Sequence, residues 1–237
     1  SDRVEASKIG AADKGFVGHK AAKMMKRSKA IEARQEKAIE QKSQLLKNAE
    51  NAENLKLHPL AHHASTLARF SEVAPIYDGA AICPRLSFEI RQGDRIALQG
   101  KNGSGKSSML KLLLGAPIQH TGTLSLASGL IFSYVSQDTA HLRGSLSAYA
   151  RENQIDESLF KALLRKMDFE RVQFEKDMAE FSGGQKKKVL IARSLCERAH
   201  IYVWDEPLNF IDIYSRGQIE ALITAYAPTM LFVEHDA

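Results

Sequence analysis

Cysteine is nearly missing from these 237 residues: Cys83 and Cys196 are the only two. They lie far apart and without metal-ligand spacing. That excludes a disulfide-stapled framework and a cysteine zinc site, and a reduced, cytoplasmic setting is expected. Long apolar runs are missing too. No stretch approaches the ~18 residues that a membrane-crossing helix needs, so no membrane insertion is expected. The first residues are charged but lack the apolar core of a secretory signal. Acidic residues are missing locally. Residues 14–30 hold Lys14, Lys20, Lys23, Lys26, Arg27 and Lys29 and no Asp or Glu. Residues 1–56 carry 13 Lys/Arg against 8 Asp/Glu, and the remainder carries 20 against 20, so the net charge of +5 resides wholly in the first quarter. A basic segment on a neutral body fits either a polyanionic partner or a solvated helix face.

Glycine and proline are absent from residues 20–56, which are rich in good helix formers. Met24, Ile31, Ala38 and Leu45 recur every seven residues, with Met25, Ile39 and Leu46 beside them. This narrow apolar stripe predicts one strand of a coiled coil, with Met24 and Met25 as packing residues. A lone helix cannot bury its stripe, and the glycine-rich "GAADKGFVGHK" (10–20) breaks any helix before it. The chain is therefore expected to start near a hairpin turn and to hold only the second arm. "HPLAHH" (58–63) ends the helix. His58, His62 and His63 are spaced like metal ligands, but no carboxylate or thiol accompanies them and no metal is expected there.

From about Leu67 the pattern changes. "LSFEI" alternates, "RQGD" turns, and "RIALQG" is a short buried strand. "LIFSYVS", "HIYVWDEP" and "TMLFVEHDA" are apolar runs ending in polar residues, with helical stretches at 156–168 and 184–197 between them. Strands alternating with helices predict an α/β domain with a mostly parallel sheet. The organisation expected is a linker over 1–56, a connector over 57–72 and one domain over 73–237.

Between strand and helix lies "QGKNGSGKSSML" (99–110), which fits G-x-x-x-x-G-K-[ST]. Gly100, Gly103 and Gly105 let backbone N–H groups turn inward around phosphate oxygens, together with Asn102, Ser104 and Ser108. Lys106 can reach β- and γ-phosphates, and the Ser107 hydroxyl can meet Mg²⁺. Asp205 and Glu206 follow the strand "IYVW". There Asp205 suits the metal and Glu206 suits an attacking water. Ser182, Gly183, Gly184 and Gln185 open a second helix with another phosphate-ready N-terminus. One chain cannot easily set two cradles on one nucleotide, so the second is expected to serve a nucleotide held by another domain. The "KKK" at 186–188 reads as a solvated helix face.

These motifs resemble the ATP-binding-cassette (ABC) ATPases over roughly residues 73–237. Gly100–Ser107 matches Walker A, Gln137 in "YVSQD" the Q-loop, and "FSGGQ" the signature, with Phe181 where leucine is usual. "IYVWDEP" matches Walker B, "LNFID" ending at Asp212 the D-loop, and His235 in "VEHD" the switch histidine. Tyr77 lies where the family has an adenine-stacking aromatic, although a lone tyrosine also serves as packing. The resemblance implies an ABC-type P-loop fold: a RecA-like parallel core, an antiparallel β subdomain and a helical signature subdomain, preceded by the linker helix. It implies ATP and Mg²⁺ as cofactors, with Mg²⁺ at Ser107, Gln137 and Asp205. Glu206 would act as base, with His235 and Gln137 ordering γ-phosphate and water. Two cassettes would sandwich two ATP molecules, so a lone one is expected to bind and hydrolyse weakly, or to pair with its own copy.

The stretch "DKGFVGHKAAKMMKRSKAIE" with the signature-to-D-loop segment further resembles the ABC-F proteins, particularly those of antibiotic resistance by ribosome protection. That implies two cassettes joined by a helical hairpin whose tip approaches tRNA on the ribosome. Lys14, Lys20, Lys23, Lys26 and Arg27 would then meet phosphates, while Phe16 and His19 stack on bases; Phe16 equally suits capping the hairpin. A transporter ATPase subunit is the alternative, which an unpaired membrane-domain docking groove beside Gln137 would favour. A chromosome-maintenance ATPase would need a far longer coiled coil.

Overall fold

The computed structural model describes Leu55 and residues 57–234. The described residues belong to the unit Ala49–Ala237. The linker helix, the basic tip with Lys14, Phe16, His19, Lys20, Lys23, Lys26 and Arg27, and His235 lie outside the described residues.

In chain order the elements are β1 (Thr66–Val73), β2 (Ile76–Tyr77), β3 (Ala80–Ala81), β4 (Leu86–Arg91), β5 (Arg95–Leu98), α1 (Lys106–Leu113), β6 (Thr123–Leu126), β7 (Phe132–Val135), α2 (Leu146–Glu152), α3 (Glu157–Lys166), α4 (Gly183–Cys196), β8 (Ile201–Asp205), α5 (Ile213–Tyr226) and β9 (Met230–Val233). Two short 3-10 turns, Arg171–Glu175 and Met178–Glu180, precede α4. β1 begins inside the stretch that the sequence assigns to the connector.

Three sheets form. β1 lies between β4 and β6 in an antiparallel sheet, β2 and β3 make a hairpin, and the parallel sheet runs β5-β9-β8-β7. The two central strands, β8 and β9, are buried on both faces, as helix-covered parallel strands are, whereas the edge strand β5 leaves Arg95 and Ala97 exposed. Period-2 alternation therefore splits β8 and β9 between two cores. Ile201, Val203, Leu231 and Val233 face one cluster with Met109, Leu110 and Leu113 of α1 and Leu67, Phe70 and Ile90 of the antiparallel sheet. Tyr202, Trp204 and Met230 face the other, with side chains from α2, α3, α4 and α5. Phe70 and Phe88, directly paired across β1 and β4, stack with centroids 4.4 Å apart.

Helix starts follow capping chemistry. Ser145, Asp156, Ser182 and Asp212 each accept a hydrogen bond from the backbone N–H three residues on. The connector is tied down by backbone groups. The Leu60 N–H donates to the Ala199 carbonyl at 2.8 Å. His62 accepts from the Ala64 N–H at Nδ1 (3.0 Å), so its Nε2–H faces the Ser128 carbonyl (2.9 Å).

The reading of Lys186–Lys188 as a solvated face needs correction. Lys187 and Lys188 are 3% and 8% exposed, and only Lys186 is half-exposed. Helix α4 is enclosed almost all round, because Val189, Leu190, Ile191, Ala192 and Leu195 cover most of its circumference with buried apolar surface.

Candidate functional site

Parallel strands bring their carboxyl ends to one side, and the loops leaving that side build the site. β5 ends at Leu98 and leads into the glycine loop, β7 into Gln137, β8 into Asp205 and Glu206, and β9 into Glu234. His235, the next residue in sequence, is not among the described residues.

The loop needs its glycines. Gly103 and Gly105 have φ of +77° and +83°, a region that L side chains rarely adopt. A Cβ on Gly105 would also come within 3.0 Å of the Ile82 side chain. Lys106 opens α1 with its side chain folded back, and its ammonium donates to the Gly100 and Lys101 carbonyls at 2.6 and 2.9 Å. The loop encloses a cavity of about 410 Å³ lined by residues 102–108 with Ile82, Gln137 and Glu206. Asn102, Gly103, Ser104, Gly105, Lys106, Ser107 and Ser108 thus share one pocket, and Gly100 is joined to it through Lys106.

Each carboxylate is held by a polar side chain from another segment. Ser107 Oγ donates to Asp205 Oδ1 at 3.0 Å, and Gln137 Nε2 donates to Glu206 Oε2 at 2.8 Å. Asn209 Nδ2 adds a second bond to that same Glu206 oxygen at 2.7 Å. Asp205 is 2% exposed. Burial pushes its pKa up, the Ser107 hydrogen bond opposes this, and the neighbouring Glu206 charge raises it further. Ser107, Gln137 and Asp205 also line a second cavity of about 460 Å³ with Lys111, Tyr134, Ser136 and Asp138. Hard oxygen donors beside a desolvated carboxylate suit Mg²⁺, so these residues fit the metal. Glu206 itself has φ +49°, which turns its peptide away from the strand direction.

Tyr77 lies in the β2–β3 hairpin with its hydroxyl 3.1 Å from Ser108 Oγ, beside the loop but not among the residues lining the cavity. Ile82 does line it, a residue with no polar signal to single it out.

The signature residues do not line that cavity. Ser182 and Gln185 form a reciprocal cap on α4: the Gln185 N–H donates to Ser182 Oγ (3.3 Å) and the Ser182 N–H to Gln185 Oε1 (2.9 Å). Gly183 is exposed. Gly184 is required by contact, since a Cβ there would fall 2.4 Å from the Phe210 carbonyl oxygen. Gly184→Ala is therefore expected to destabilise the protein by roughly 1–3 kcal/mol despite alanine's better helix propensity. A urea midpoint equal to or above the wild type's would remove that close approach.

Asp212 caps α5 through the Ser215 N–H at 2.8 Å and pairs with Lys188 Nζ at 2.8 Å. Partial burial opposes its ionisation, but hydrogen bonds from Lys188 and Ser215 prevail and hold its pKa down at about 2. Its contribution to stability is thus present above the ordinary carboxylate pKa and fades as pH falls towards 2. Arg216 braces the same loop by donating to the Leu208 and Ile211 carbonyls, both at 3.0 Å. Phe210, at φ +64°, and Ile213 stand out from it, 86% and 88% exposed.

Known proteins are similar to this chain in sequence or in fold. The sequence profile described as "ABC transporter" matches residues 83–209. The ATP-binding protein Uup of Buchnera aphidicola subsp. Schizaphis graminum is 27% identical over 199 residues, covering 80% of this chain and 34% of that protein. The ribosome protection protein VmlR of Bacillus subtilis is 27% identical over 177 residues, covering 71% and 32%. The chain thus spans about a third of the length of these relatives. The structure of a bacterial Atm1-family ABC exporter with ATP bound superposes with TM-score 0.62 at 22% identity, covering 76% of this chain and 36% of that one. At that identity the likeness shows the fold alone.

Proposed function

The chain belongs to the ABC transporter family and is of the ABC-F type, and from that premise we propose that it binds and hydrolyses ATP with Mg²⁺ in a protein that acts on the ribosome. The observation that carries the ATPase reading is the convergence of two pairs, Ser107 with Asp205 and Gln137 with Glu206, behind one glycine-lined cavity.

In this reading residues 102–106 hold the phosphates through backbone N–H groups and the Lys106 ammonium. Tyr77 flanks the base. Ser107, Gln137 and Asp205 hold Mg²⁺, which when bound offsets phosphate charge. Glu206, steadied by Gln137 and Asn209, takes a proton from the attacking water, and His235 orders the γ-phosphate. Ser182, Gly183, Gly184 and Gln185 serve a nucleotide on an opposing cassette, either a second one in a longer chain or a copy of this one, with Asp212 at the same junction. Their place outside the cavity supports that division of labour.

The ribosomal part rests on the basic segment 14–30 and on the similarity to a protein named for ribosome protection. Co-sedimentation with ribosomes tests it, with ATP and with ADP, in a Glu206→Gln background that retains nucleotide. ATP-dependent pelleting is the expected result. Replacing Lys20, Lys23, Lys26 and Arg27 by Glu is expected to abolish pelleting and to leave ATP affinity within about twofold, as loss of several phosphate contacts should. Pelleting that survives the four changes removes the basic arm as anchor. No pelleting in either nucleotide state returns the transporter subunit as the leading reading.

A further inference from the structure

Lys187 is a buried lysine that the roles above do not use. Its ammonium donates to three backbone carbonyls: Ser136 at 2.9 Å, Asp205 at 3.2 Å and Gln137 at 3.5 Å. An ammonium has three donors and no acceptor, so the group is satisfied by these oxygens. Burying it any other way would be costly.

The positions of those carbonyls matter. Pairing between β7 and β8 ends at Val135↔Trp204. Ser136 and Asp205 are the next residues on each strand, where that ladder offers no further bond. Lys187 bridges the two strands just past that last pair. The Ser136 and Gln137 carbonyls belong to the peptides on either side of Gln137. The Asp205 carbonyl belongs to the peptide that leads into Glu206, whose left-handed φ of +49° costs about 1 kcal/mol for a non-glycine residue. The lysine thus grips the backbone that aims Gln137 and Glu206 at each other, and their side chains meet at 2.8 Å.

It does so from the first turns of α4, the helix that Ser182 and Gln185 cap. The next residue, Lys188, holds Asp212 at the start of α5. These turns therefore hold the ends of β7 and β8 and the loop before α5 at once.

We infer that Lys187 is a positioning residue: it clamps the Gln137 and Glu206 backbones to the signature helix, so that the spacing of the two side chains depends on where that helix sits. What the clamp positions rests on the ATPase reading; the clamp itself rests on the carbonyl geometry. Burial pushes the ammonium pKa below its ordinary value, and the nearby Asp205 and Glu206 charges offset only part of that.

The test compares Lys187→Met with wild type in the full-length protein, with Lys186→Met on the same helix as control. Methionine keeps an unbranched apolar stem that stops at the Cε position, and it removes all three donors. Without nucleotide, amide hydrogen exchange over residues 136–142 is expected to speed up about tenfold or more while residues 201–204 stay within about twofold. With ATP, kcat is expected to fall about tenfold or more while KM stays within about threefold, the split expected of lost positioning rather than lost binding. If Lys187→Met does not fold, Lys187→Gln, a shorter side chain whose amide keeps two N–H donors but carries no charge, takes its place and is expected to show the same pattern. Unchanged exchange at 136–142 overturns the clamp. So does a kcat loss that merely follows a loss of global stability. A wild-type protein that does not turn over ATP ends the ATPase reading instead, and the exchange comparison still decides the clamp.

Discussion

Glu206→Gln is expected to lower ATP turnover by about 10²–10⁴-fold while ATP affinity stays close to wild type. The structure makes this a clean substitution. Both donors that hold the carboxylate, Gln137 Nε2 and Asn209 Nδ2, reach the same oxygen, at 2.8 and 2.7 Å. A glutamine can present its amide oxygen to both, so the side chain keeps its place and its size. What it loses is the ability to accept a proton from water. Single-turnover chemistry with bound ATP, measured beside equilibrium ATP binding, separates the two effects. Turnover within about twofold of wild type would remove Glu206 as the base, because loss of a positioned base costs far more than that. Loss of ATP binding would instead place Glu206 among the binding groups.

Much of this site was legible because its chemistry imposes local spacing. A glycine loop between strand and helix must keep its order along the chain, so Gly100, Gly103, Gly105, Lys106 and Ser107 could be named from one stretch. Asp205 and Glu206 were legible for a related reason: an apolar strand ending in two carboxylates contradicts burial unless something uses them. The two-faced parallel strands were legible as short apolar runs. Lys187 and Lys188 were not. Three consecutive lysines look like a wetted surface when each is read by its own polarity. The helical period carried the missing signal: Lys187 lies one turn before Ile191 and two before Ser194, both fully buried, and so belongs to an inward face. Ile82 and Asn209 were missed because their roles arise only when distant segments meet. The Gly184 contact was hidden as well. The signature reading explained that glycine by phosphate binding, whereas the Phe210 carbonyl explains it by backbone approach. The linker stripe and basic tip, the clearest sequence features outside the cassette, fall outside the described residues.

Lys106→Ala is expected to weaken ATP binding by about 100-fold or more. A charge-assisted hydrogen bond contributes roughly 1.5–3 kcal/mol, and the loop's own anchor is lost with it. The lysine bonds the Gly100 and Lys101 carbonyls at 2.6 and 2.9 Å, so two of its three donors already hold the loop and one remains for a phosphate oxygen. Lys106→Arg is expected to be nearly as damaging. A planar guanidinium with donors in a fixed fork does not fit a space shaped by two carbonyls this close to a compact ammonium. Isothermal titration with ATP and with ADP checks both variants, and the larger loss is expected for ATP because it brings the additional phosphate charge. Binding within about threefold of wild type in Lys106→Ala would mean that the loop is held closed by other contacts and that the triphosphate lies elsewhere, since less than about 1 kcal/mol is too little for a direct ammonium–phosphate contact. The Glu206 and Lys106 variants thus fail in opposite ways if the site is read correctly. The first holds ATP and does not spend it; the second has the base in place and nothing for it to act on.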